Sequence, residues 1–161
     1  LKTLTVLVDS REKRPLLFPS TLKVWTRNKG QLVQVETRVA KLDAGDYLLE
    51  GHEGKAVIER KGSVRELAQN LLSGDQRRQG RAFRRLAESC KHPYLFLHTT
   101  ATSMLGRNEW NEDPDRLIQK LAWVLDKFGF HFMLVPLTSS AASRRLVGTV
   151  ALNLLVGHMD T

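Results

Sequence analysis

Two carboxylates and one lysine carry the chemistry that this chain could perform. In GDYLLEGHEGKAVIERK, residues 45–61, Asp46 opens one predicted strand, Glu59 lies near the end of the next, and a turn at 51–54 joins the two. A hairpin brings neighbouring strand ends together, so both acids can reach a common end of a sheet if the register allows. Glu59 and Lys61 are two apart on a strand and share a face, whereas Arg60 points to the other. Paired carboxylates need a cation between them. A Mg2+ or Mn2+ ion supplies one, and its chemistry suits phosphodiester hydrolysis: it polarises a phosphoryl oxygen and acidifies water. Lys61 can steady an attacking hydroxide or the charge that builds on phosphate. The plain alternative is a surface Glu59–Lys61 ion pair beside a turn aspartate.

These residues need a frame. The β-branched run at 4–8 reads as a buried strand that stops at Asp9. Residues 10–30 hold Pro15, Pro19 and several charges, and read as a long loop with room for a short helix. Strands are expected at 31–39, 46–50 and 55–61. The period then changes. Ser63 with Glu66 three residues later has capping-box spacing, Leu67, Leu71 and Leu72 form an apolar stripe, and Gly74 ends the helix. A second helix is predicted over 76–90 with Ala82, Phe83, Leu86 and Cys90 inward, broken by Pro93.

A strand at 94–98 and a short helix near 102–105 follow. Asp113-Pro114 starts a helix with Leu117, Leu121, Val124, Leu125 and Phe128 at helical spacing, closed by Gly129. Residues 130–135 form the last strand, and Ser139 or Ser140 caps a final helix to about 157. This order implies an α/β sandwich: a mixed sheet flanked by helices, in one domain over 1–161 without repeats or linkers.

Twenty-five Lys and Arg against 17 Asp and Glu give a formal charge of +8, which favours polyanions. With one cysteine, Cys90, neither an intrachain disulfide nor a Cys-rich zinc site is possible. The five histidines show no HxxxH spacing. No apolar run reaches membrane-spanning length, so no membrane partner is expected.

The segment containing Gly45-Asp46 and Glu59-Arg60-Lys61 resembles the GD…ERKxxxD signature of the XPF/Hef-type structure-specific endonucleases, a branch of the restriction-endonuclease-like PD-(D/E)xK superfamily. The likeness extends upstream to Val8-Asp9-Ser10-Arg11-Glu12, similar to the family's VDxRE element, and downstream to Leu67-Ala68-Gln69-Asn70-Leu71. The resemblance implies a restriction-endonuclease-like fold and metal binding by Asp46 and Glu59, aided by Asp9. It implies a catalytic Lys61, an organising role for Arg60, and Arg11 and Glu12 beside the same cleft. One position departs: the family's aspartate three residues beyond ERK is Arg65 here, and Glu66 follows at once.

The second predicted helix carries Arg77, Arg78, Arg81, Arg84 and Arg85, with Arg77, Arg81 and Arg84 on one side, and reads as a phosphate-binding face. Lys13 and Arg14 after VDSRE extend it. Trp25 and Trp123 read as packing residues; Trp110, in the polar stretch 106–115, is a candidate for stacking on a base.

The last helix is apolar on more than one face, which fits burial or a second chain; the resemblance implies a homodimer or heterodimer through the C-terminal helices. The family's tandem helix-hairpin-helix module is absent. The expected activity is metal-dependent cleavage of flapped, forked or branched DNA, in DNA repair or recombination, inside a bacterial (or phage-infected) cell or a nucleus. A Holliday-junction resolvase or another PD-(D/E)xK nuclease, and a non-catalytic DNA-binding partner subunit, are the alternatives.

Overall fold

The elements run β1 (Thr3–Asp9), β2 (Thr21–Thr26), β3 (Lys29–Ala40), β4 (Tyr47–Leu49), β5 (Ala56–Lys61), α1 (Val64–Leu72), α2 (Gln76–Ser89), β6 (His92–Leu97), α3 (Ala101–Met104), α4 (Pro114–Phe128), β7 (His131–Leu134) and α5 (Ala141–Gly157). The structure is a computed structural model that describes residues 2–73, 76–109, 111 and 113–161. The strands form one mixed sheet in the order β2-β3-β1-β4-β5-β6-β7. β1 runs parallel to β3 and antiparallel to β4, which is antiparallel to β5; β5, β6 and β7 are mutually parallel. Among the described residues no helix is long and apolar enough to cross a membrane.

The alternation of side chains divides the core in two. Val6, Val8, Tyr47, Leu49, Ile58 and Phe96 pack with Val147, Ala151, Leu152 and Leu155 of α5. Leu7, Leu48, Val57, Leu95 and Leu97 face the opposite way, onto α1, α2 and α4. Continuing each strand by its period of two places Asp9, Asp46, Glu59 and Lys61 on the α1–α2 side. Tyr47, Arg60 and His98 fall on the α5 side.

The expected loop at 10–30 contains a strand instead. In β2, buried Leu22 and half-buried Val24 alternate with exposed neighbours, and the strand pairs antiparallel with β3 at the sheet edge. Pro15 and Pro19 precede the strand and do not interrupt it. Trp25, expected to pack, is exposed on this edge. Gly74, the expected stop of α1, lies outside the described residues, as does Trp110.

At the start of α1, Ser63 Oγ accepts from Glu66 N–H at 3.1 Å, while Glu66 Oε2 accepts from Gly62 N–H at 2.9 Å. The box therefore closes one residue earlier than its usual form, in which the acid returns to the cap's own N–H. Asp113 caps α4, and Gly129 ends it in the left-handed conformation.

The segment after β1 is fastened to α5. Leu17 N–H donates to Arg144 O at 3.3 Å, and Arg144 Nη1 donates to Pro15 O at 3.1 Å. Gly148 makes this approach possible, because an added Cβ would overlap the Leu17 carbonyl. Gly148→Ala is expected to lower stability by about 1–3 kcal/mol through overpacking, read as a drop in Tm by calorimetry. An unchanged Tm would show that the segment yields freely.

Candidate active site

The acidic residues meet where β1 ends, β4 begins and β5 ends. Asp9 N–H donates to Asp46 O at 2.9 Å, and Asp46 N–H donates to Ile58 O at 2.8 Å. The β4–β5 register pairs Tyr47 with Ile58, so one step further brings Asp46 opposite Glu59. The turn before β4 depends on Gly45, whose φ of 74° is left-handed and whose α-carbon faces Val57 with no room for a Cβ. Asp46 Oδ2 accepts from Arg60 N–H at 2.7 Å, which orients its carboxylate. Among the described residues, Oδ1 makes no hydrogen bond.

The electrostatics of this cluster are unbalanced. Burial, then the charges of Glu59 and Glu12, push the Asp46 carboxyl up to about 8. Burial also raises Glu59, opposed by the charge and hydrogen bond of Lys61. Asp9 behaves differently. Burial is the strongest influence and opposes its ionisation, but the hydrogen bonds from Arg11 and Leu42 and the Arg11 charge outweigh it, so its carboxyl lies below the ordinary value. Both Asp9 oxygens are engaged: Oδ2 accepts from Arg11 Nε at 2.8 Å and Oδ1 from Leu42 N–H at 3.1 Å.

Lys61 is 6% exposed, unusual for a lysine. Its ammonium lies 3.5 Å from Glu59 Oε1, 3.9 Å from Glu66 Oε1 and 3.5 Å from Gln79 Oε1, and 5.8 Å from the Phe83 ring centroid. Glu66, next to the departing position Arg65, lines the acidic cleft.

On the other face of β5, at the border of the cleft, Arg60 organises a second network. Its Nη1 donates to Glu12 Oε2 and to Arg14 O, each at 2.7 Å, and its Nε donates to His98 Nε2 at 2.7 Å. His98 Nδ1 lies 3.0 Å from Val135 O. A carbonyl only accepts and a guanidinium only donates, so His98 is neutral with its proton on Nδ1. Burial, the leading cause, lowers its pKa in agreement. Tyr47 O–H donates to Glu12 Oε2 at 2.7 Å and accepts from Leu16 N–H at 2.9 Å.

Of the arginines on α2, Arg78 and Arg85 line the cleft with half-buried Ala82 between them. Ala82 was expected in the core with Phe83 and Leu86; it sits at the cleft wall instead. Arg77, Arg81 and Arg84 are exposed and do not line it. Arg11 lines it, donating also to Leu42 O at 3.0 Å. Lys13 and Arg14 are exposed on the following loop, outside the cleft. Asp9, Glu12, Asp46, Glu59 and Arg60 all border it.

Gln79 and His98 are site neighbours that sequence reasoning missed. A signal existed for Gln79: it is a polar residue on the apolar stripe of Phe83 and Leu86. His98 directly follows an apolar strand that runs parallel to β5, as Asp9 closes β1.

Among the described residues no three His, Cys, Asp or Glu side chains are arranged to hold a metal ion. Two carboxylates suit Mg2+ better than an all-protein cage would, because that ion keeps several waters and takes its remaining ligands from substrate phosphate.

The protein is thus a mixed sheet between helices with an acidic cleft at its strand ends. Among solved structures, XPF from Aeropyrum pernix matches 93% of this chain and 60% of its own with a TM-score of 0.60 at 19% identity. XPF from Aeropyrum pernix in complex with DNA matches 95% of this chain and 63% of its own with a TM-score of 0.54 at 22% identity. The chain has this XPF-like nuclease fold and spans about three fifths of those chains. No protein-family model and no curated protein matches its sequence.

Because the Asp46 carboxyl is raised, the native state holds its proton more tightly than the unfolded chain does. Its stabilising contribution is present in acid and is lost as pH rises through about 8. In metal-free buffer, Asp46→Asn is therefore expected to gain Tm relative to wild type as pH rises from about 5 to 9. A difference that stays flat across that range would contradict the raised value.

Proposed function

We propose that the protein is a divalent-metal-dependent DNA endonuclease of the XPF type, acting on flapped, forked or branched DNA. The observation that carries this reading is the half-buried pair Asp46 and Glu59 beside buried Lys61, with more negative charge than the described side chains neutralise. Asp46 and Glu59 would hold Mg2+ or Mn2+, which when bound supplies charge neutralisation at phosphate and acidifies water. The Arg60 N–H fixes Asp46 Oδ2 and leaves Oδ1 for that task. Asp9, with both oxygens occupied, serves by holding Arg11 and the Leu42 backbone at the cleft rim. The Lys61 ammonium can donate to a phosphoryl oxygen or the attacking water, and its low-dielectric surroundings strengthen that contact. Arg78 and Arg85 contact phosphates flanking the cleft, which positions DNA without reading its bases. Glu12 and Arg60, tied through Tyr47 and His98, brace β5 from behind.

One observation favours a second reading, a DNA-binding subunit without cleavage: no three-acid cluster forms among the described residues, and Arg65 stands where the resemblance calls for aspartate. A resolvase or other nuclease of the same superfamily would use the same residues on other substrates.

The apolar face of α5 supports a dimer. Leu146 is 71% and Val150 42% exposed. A homodimer or a homologous heterodimer would cover this face. The double substitution Leu146→Asp with Val150→Asp is expected to convert a dimer to a monomer in light scattering; a wild-type monomer at high concentration contradicts the homodimer.

Labelled forks and flaps incubated with Mg2+ or Mn2+ are expected to be cut by wild type. Asp46→Ala, Glu59→Ala and Lys61→Ala should each slow cleavage by at least about a hundredfold. Cleavage that survives all three substitutions overturns the reading. Tight fork binding without cleavage in Mn2+ would establish the non-catalytic one.

A further inference from the structure

A second groove lies on the far side of α2 from the acidic cleft. It measures about 200 Å³ and runs between α2 and α4. Trp123, expected as a packing residue, is 53% exposed on its wall. Along α4, Arg116, Lys120, Trp123 and Lys127 recur at steps of four, three and four and so share one helix face. The ammonium groups of Lys120 and Lys127 each lie 4.7 Å from the Trp123 ring centroid. Arg77 of α2 lines the same groove, and no Asp or Glu does among the described residues. The amide oxygen of Asn70, which borders it, is buried and has no hydrogen-bond partner among the described residues.

The groove and the cleft share a wall. Gln79 and Phe83 line the groove, yet their other sides meet Lys61, at 3.5 Å from its ammonium to Gln79 Oε1 and 5.8 Å to the Phe83 ring. The first turn of α2 carries Arg77 toward the groove and Arg78 toward the cleft. A phosphate chain leaving the cleft past Arg78 would next meet Arg77 and then the lysines around Trp123.

We propose that this groove holds a single-stranded arm of the DNA, which crosses the first turn of α2 from the cleft and stacks an unpaired base on Trp123. The proposal rests on the nuclease reading and adds a single-strand subsite to it. Cations beside an exposed indole are the chemistry of single-strand binding, where phosphates track the charge and bases stack on the ring. Duplex DNA satisfies the cations but keeps its base faces stacked inside. An acidic peptide also satisfies the cations but offers the indole no aromatic partner.

The test measures binding by fluorescence anisotropy, with Ca2+ in place of Mg2+ to hold back cleavage. The probes are a fork with an oligothymidine arm and a blunt duplex of the same paired sequence. Wild type is expected to favour the fork. Trp123→Ala should weaken fork binding by about tenfold and leave the blunt duplex unchanged, while Trp123→Phe retains most of the affinity. Bromouracil placed in the arm should crosslink to Trp123 on irradiation, as read by mass spectrometry; this readout needs no variant to fold. Equal losses on both probes, no loss on the fork, or crosslinks confined to other sites overturn the proposal while the nuclease reading stands. A wild-type protein that binds neither probe overturns both.

Discussion

Two carboxylates of like charge, drawn out of water at adjacent strand ends, are the constraint around which this molecule is arranged. Asp46 and Glu59 are brought together by a register that also buries Tyr47 and Ile58 in the core. The acids cannot separate unless those apolar side chains leave their places. Sheet packing thus holds an electrostatic arrangement that the charges alone would not adopt. Glu59 is offset in part by Lys61, and Asp46 by one backbone N–H from Arg60. What is left over is the negative charge on which the proposed cation binding rests.

The period-two geometry of β5 separates the tasks on either side of it. Glu59 and Lys61 face α1 and α2, where the cleft opens, and the intervening Arg60 faces α5, where Glu12, Tyr47 and His98 hold it. Glu-Arg-Lys is therefore two cleft-side residues around one anchor. The anchor also ties down the chain after β1, since Arg60 bonds the Arg14 carbonyl and the segment continues onto α5 beside Gly148. A change on the α5 side can reach the cleft through this one side chain.

Helix α2 stands between two surfaces of different character. One side presents Arg78 and Arg85 to the acids, and the other presents Arg77 to a groove bearing Trp123. Its apolar stripe is interrupted by Gln79, which reaches the ammonium of Lys61. The same helix that roofs the core therefore also borders both places where DNA is proposed to lie.

Much of this was legible in residue order. Local patterns carry the strands and helices, since alternation and helical periodicity follow from backbone geometry alone, and the GDY and ERK elements named the acids and the lysine. Capping by Ser63 and Asp113 was readable because caps act within three residues. Strand β2 was hidden behind two prolines, because an edge strand buries only one and a half side chains' worth of apolar face, Leu22 and Val24. The arginines that border the cleft could not be chosen from the five on α2: helical spacing ranks them by angle, but only the docking of the helix against β5 decides which angle faces the acids. Trp123 was misread for the same reason, an aromatic residue being apolar in any sequence and exposed only when its neighbours leave it so. The chain's own order determined the residue types, the elements and the sharing of a face by Glu59 and Lys61. Tertiary structure alone decided the cross-strand meeting of Asp46 with Glu59, the burial that raises both, and the orientation of α2, because distance and desolvation arise only when separate elements pack.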